Sequence, residues 1–163
     1  MRQRRGGIGF VIFSVLVAIM LSMVQMPSWA QGLRPEFLPL VVIFWVVTYP
    51  ERFGIGFAWT CGLALDIFRD GAIGGQYALT MLLIGFVAIK IHQRFAMYPV
   101  WQQALTTFFL MLLFQCILFF IKGMGGTLHE FSWRFWATCF TSTLAWPFVW
   151  LFLTGMRNRI RLA

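Results

Sequence analysis

Charge is scarce in this sequence, and negative charge most of all. Only 5 of the 163 residues are Asp or Glu, and charged residues together make up 11%. A soluble domain carries about 25%, so a water-soluble globule is excluded. Cysteine is also sparse. Cys61, Cys116 and Cys139 each sit inside an apolar run, none lies in a CxxC, and no Cys/His cluster accompanies them. Such thiols read as buried packing groups and not as metal or redox centres. The two histidines, His92 and His129, lie far apart along the chain and read as solvated loop residues. No Ser/His/Asp set, paired carboxylates, phosphate-cradling glycine loop or metal-ligand spacing appears. The Gly6-Gly7-Ile8-Gly9 stretch follows no strand, so it is no phosphate cradle. An enzyme is not expected, nor a cofactor. The length allows one domain and leaves no room for a separate soluble module.

What the sequence does have is apolar bulk. Hydrophobic residues make up 60%, with 19 Phe and 8 Trp. A chain this short cannot hide so much apolar side chain in its own core, so the remainder faces lipid. Trp favours membrane–water interfaces, where its ring meets both environments. The net charge of +8 would point to nucleic acid in a soluble protein. Here the basic residues cluster at the ends of apolar runs, where they fix orientation instead.

Charge-free runs cover residues 6–33, 37–50, 53–65, 71–89, 95–121 and 135–156. A straight span needs roughly 17–25 residues. Four runs satisfy that outright. The second and third do so once extended, which admits Arg34, Glu36, Asp66 and Arg69 near their outer ends. The expected spans are 8–26, 33–49, 53–69, 74–91, 100–121 and 133–155. A re-entrant hairpin tipped by Pro50-Glu51-Arg52 would bury two charges at about 2.5–3.5 kcal/mol each, so two short spans are the better reading. The first run resembles a signal peptide, with Arg2, Arg4 and Arg5 ahead of it and Ser28-Trp29-Ala30 after it. Its apolar core of 19 residues over 8–26 exceeds the usual 7–15, which favours a retained anchor.

With the N-terminus inside, the inner segments hold Arg2, Arg4, Arg5, Arg52, Lys90, Arg94, Arg157, Arg159 and Arg161. The outer segments hold Arg34, Arg69, Lys122 and Arg134. Nine against four is a positive-inside bias, which predicts that both termini are cytoplasmic. The longest outer loop is expected over residues 122–134, with Gly123, Gly125 and Gly126 making it mobile.

The third span is the most informative. Gly54, Ala58, Gly62 and Asp66 recur every four residues along one helix face, and small residues at that spacing allow a close helix approach. Asp66 lies 12 residues beyond Gly54, about 18 Å along the helix, toward the outer third. An acid in a span raises the question of ion or proton transfer. A relay needs further titratable groups at depth, and none is present. Asp66 therefore reads as a structural organiser, with Arg69 one turn on as the nearest candidate partner. Gln115 in the fifth span, and Thr138, Thr141 and Ser142 on one face of the sixth, read as interhelical hydrogen-bonding groups. Pro147 is expected to interrupt and kink the sixth span, because it lacks a backbone donor.

Several segments together resemble the MreD family of rod shape-determining proteins. They are Arg34-Pro35 ahead of residues 38–49, Gly62-Leu63-Ala64-Leu65-Asp66-Ile67 leading through Gly71 and Gly74, Ala78-Leu79, Trp101-Gln102-Gln103-Ala104-Leu105, and Trp146-Pro147. The resemblance covers nearly the whole chain. The glycines at 123–126 depart from it, since related sequences look more polar there. The resemblance implies a non-enzymatic subunit of the cell-wall elongation machinery in the inner membrane. It further implies MreC as the main partner, with MreB, RodA and a class B transpeptidase in the same complex. The implied fold is similar to the six-helix substrate-binding subunit of energy-coupling-factor transporters. Fold likeness alone does not carry solute binding, so solute binding or transport is the alternative function.

Overall fold

The computed structural model describes residues 4–70, 74–126 and 133–162. Among these, six α-helices follow one another: α1 (Arg4–Met23), α2 (Phe37–Thr48), α3 (Ile55–Asp70), α4 (Gln76–Phe95), α5 (Val100–Met124) and α6 (Trp133–Leu162). A single 3-10 turn (Gln31–Leu33) precedes α2.

Each expected span overlaps one α-helix, but the bounds shift. The second is the clearest case. Pro35 drives its predecessor toward extended backbone, and Arg34 sits at φ −75°, ψ 118°. The chain therefore bends at Arg34-Pro35-Glu36, and α2 is left with 12 residues. At 1.5 Å per residue that is about 18 Å, well short of a hydrocarbon core of about 30 Å. Among the described residues, three helical segments are long and apolar enough to cross a membrane: α4, α5 and the Trp136–Arg159 part of α6.

The core is built on α2. Its sequence has no polar face, and a helix that is apolar all round must be covered all round. Residues 38–47 are buried without a break, enclosed by α1, α3, α4 and α6. Aromatic edges lock this centre. Phe44 meets Trp45 at 5.3 Å and Trp150 at 5.1 Å between ring centroids, and Phe95 meets Trp146 at 5.7 Å. Trp45 donates its indole N–H to Ser14 Oγ on α1 at 2.9 Å, and Ser14 donates in turn to the Val11 carbonyl. The outward faces are the reverse. Met20, Phe120, Phe148 and Leu151 are each more than two-thirds exposed. So many large apolar side chains exposed on several helices are unfavourable in water and natural against lipid.

Three expectations change. Pro147 does not end its helix, since α6 runs on to Leu162. His92 belongs to the last turn of α4, where Nδ1 meets the Ile89 carbonyl. The glycine loop starts later than residue 122, because α5 continues to Met124. The rest of that loop (127–132, including His129) lies outside the described residues, as do Arg2 and Gly71.

Candidate functional site: the α3–α4 junction

The most extensive contact between any two helices joins α3 to α4. Its closeness comes from missing side chains. A Cβ added at Gly62 would lie 2.6 Å from the Tyr77 carbonyl oxygen, 2.7 Å from Ala78 Cα and 2.9 Å from Ala78 N. All three are backbone atoms, so no rotamer change could relieve the clash. Further along the pair, a Cβ at Gly85 would lie 2.6 Å from Ala58 Cβ. Gly62 thus makes room for the α4 backbone and Gly85 for the Ala58 methyl, the close approach that small residues permit in membranes.

Asp66 closes the Tyr77 end of this junction and is fully buried. Helix α4 begins just after Gly75, which sits in the left-handed region at φ +66° and has no side chain to cap the helix. The first N–H groups of α4 therefore need an outside acceptor. Asp66 supplies it from α3. Oδ1 accepts from the Tyr77 N–H at 3.1 Å and Oδ2 from the Ala78 N–H at 2.9 Å. The carboxylate charge also sits at the positive end of the α4 dipole. Hydrogen bonds to charged groups contribute about 1.5–3 kcal/mol each, so one side chain fixes where α4 starts and how it meets α3.

Arg69 takes a different partner from the one expected. Its Nη1 donates to Glu36 Oε1 at 2.9 Å, ahead of α2, and its guanidinium lies 5.3 Å from the Tyr77 ring centroid. Lys122 approaches the same ring at 5.7 Å. Tyr77 is thus flanked by cations from α3 and α5, a favourable arrangement for an aromatic face. Glu36 also donates its backbone N–H to Ser142 Oγ on α6 at 3.1 Å, and Thr138 Oγ1 donates to the Gly32 carbonyl at 3.4 Å. Thr141 instead bonds within its own helix, to Thr138 and Ala137. Two of the three polar groups on that face therefore tie α6 to the segment leading into α2.

Of the other residues singled out, Gly54 precedes α3 and has open space where a Cβ would stand, so it takes no part in the close contact. Gln115 is buried on α5, and its Oε1 has no hydrogen-bond partner among the described residues. Pro147 lies elsewhere, on α6. Reasoning from sequence missed Gly85 and Glu36. The signals were a lone glycine seven residues after Ala78, on the same side of α4, and an acid beside the Arg34-Pro35 bend.

The junction can hold two helices together and set a helix start. Its buried carboxylate has both oxygens engaged by backbone donors. The family model for rod shape-determining protein MreD matches residues 3–156. A curated relative from Haemophilus influenzae, named rod shape-determining protein MreD, is 28% identical over 154 residues, covering 94% of each chain. No solved structure matches. With a family model covering nearly the whole of an all-helical, lipid-facing chain, this protein belongs to the MreD family of rod shape-determining membrane proteins.

Proposed function

We propose that this chain is a non-enzymatic scaffold of the rod-shape machinery in the inner membrane, crossing six times with both termini cytoplasmic. The family places it in rod-shape determination. The scaffold reading rests above all on Asp66. The acid most able to carry ion or proton chemistry is instead the cap of α4, with both oxygens occupied. The partner expected to bind first is the membrane helix of MreC, with MreB, RodA and a class B transpeptidase in the same assembly. Ala58 and Gly62 are already taken up by α4. A partner helix is therefore left the outward faces.

The alternative is a solute-binding or transport subunit, to which a fold like that of energy-coupling-factor substrate-binding subunits would lend itself. Gln103 Oε1, Thr107 Oγ1 and Gln115 Oε1 are buried on α5 without partners among the described residues, and they are what favours it. Against it, the cavity between α1 and α6 is lined by apolar side chains, the wrong lining for a polar solute. Co-purification from membranes decides. MreC is expected to accompany the protein, and no vitamin-like solute is. Tight solute binding without MreC would replace the scaffold reading. Reporter fusions at Gly125 and Ala163 are expected to report opposite sides of the membrane; the same side for both would sink the six-span topology.

A further inference from the structure

Helices α1 and α6 flank α2 without closing over it, and a groove of about 450 Å³ remains between them. Its direction follows from its neighbours. At one end Arg34 donates to the Leu21 carbonyl at 2.8 Å, and Ser142 meets Glu36. Toward the other end Phe10 meets Trp45 at 5.8 Å, and Phe44 meets Trp150. The groove thus runs from Leu21 and Phe37 to Phe10 and Met156, along antiparallel α1 and α6. Its walls are Phe10, Phe13, Phe37, Phe148 and Phe152, with Ser14 and Ala18 also lining it. The Ser14 hydroxyl is already engaged by Trp45 and Val11.

The Met156 end is basic. Arg157 follows Met156 and stands one turn beyond Leu153, which lines the groove. Its Nε is shut off from the surroundings and has no hydrogen-bond partner among the described residues. Arg157 as a whole is only partly buried, so its guanidinium leaves a positive charge at this end that an anionic head group would complement. Exposed Arg159 and Arg52 lie at the same end, where α1 also begins with Arg4 and Arg5. Of the described acids only Glu51 lies there; Glu36, Asp66 and Asp70 belong to the opposite end.

The geometry points to a binding site for an anionic phospholipid, with an acyl chain in the α1–α6 groove and the phosphate at Arg157. The volume falls in the range of small-molecule sites, about 300–1,000 Å³. Basic pockets between helices at the cytoplasmic surface recognise anionic head groups. A partner helix fits less well. Close helix approach needs small residues, and these walls are phenylalanine. The inference rests on the proposed orientation, which puts the Met156 end at the cytoplasmic face, and not on the scaffold role.

The test uses the full chain in nanodiscs of equal parts phosphatidylglycerol and phosphatidylethanolamine, with native mass spectrometry of the lipid retained. Wild type is expected to keep phosphatidylglycerol preferentially. Arg157→Gln is expected to lower that preference about fivefold, and Arg157→Lys, which keeps the charge, to restore part of it. Val17→Trp, which fills the groove, is expected to reduce retention of both lipids. Equal retention of the two lipids by wild type would overturn the proposal, as would full selectivity in folded Arg157→Gln. A photo-crosslinker at position 17 that captures the MreC helix in native membranes, and no lipid, would also overturn it.

Discussion

The two sides of α2 are built on opposite rules. On one side α3 and α4 come so close that Gly62 leaves no room for a single added carbon, and a buried carboxylate pins one helix to the start of the other. On the other side α1 and α6 stand apart with phenylalanines between them. Lipid tails are as apolar as any side chain, so apolar character alone does not bring helices together in a membrane. Close approach needs small residues and satisfied polar groups. The α3–α4 side has both. The α1–α6 side has bulk, and it stays open.

The contrast can be broken most severely at Gly62. Leucine there would drive carbon into the backbone of Tyr77 and Ala78, and overpacking costs about 1–3 kcal/mol, occasionally more. Because nothing but backbone can yield, the upper end or beyond is expected, read as loss of folded protein in the membrane and of the thermal transition. Asp66→Leu comes next. It removes the acceptor of two buried N–H groups, each costing about 1–3 kcal/mol when left unsatisfied, so about 2–6 kcal/mol in total is expected in a melting measurement. Asp66→Asn keeps an acceptor and loses only part of this.

A smaller and sharper test lies at the Ala58–Gly85 contact. Gly85→Ala is expected to destabilise by about 1–2 kcal/mol, and adding Ala58→Gly is expected to restore most of it by moving the one methyl across the interface. The Arg69–Glu36 ion pair is half-exposed on its arginine side and is worth at most about 1 kcal/mol. A double-mutant cycle should find coupling between these two residues. Least of all is expected from Gly54→Ala. That residue has open space around it, and a change below about 0.5 kcal/mol is foreseen.

These tests also mark what was legible in the sequence. The charge-free runs located all six helices, since an apolar run bounded by charges has few other readings. Asp66 was legible as an acid in need of a partner, because it stands at the end of a small-residue stripe inside an apolar span. The partner was not. Backbone N–H groups leave no mark in sequence, and the nearest visible cation, Arg69, was drawn instead to Glu36. The clue was Gly75, a helix start with no cap of its own. The charge-free run over 37–50 already matches the short α2; its extension back to residue 33 fails because Pro35 bends the chain there. The groove was illegible for a different reason. It depends on which helices fail to touch, and no single residue records that.

The central claim is that Asp66 acts through structure and not through chemistry. Its most direct test compares Asp66→Asn and Asp66→Leu in cells, measuring membrane abundance, MreC co-purification and rod shape together. The account predicts that Asn is tolerated better than Leu, and that any loss of shape follows loss of abundance or assembly. If both variants fold and assemble normally yet abolish rod shape equally, ion or proton transfer at Asp66 is the better explanation.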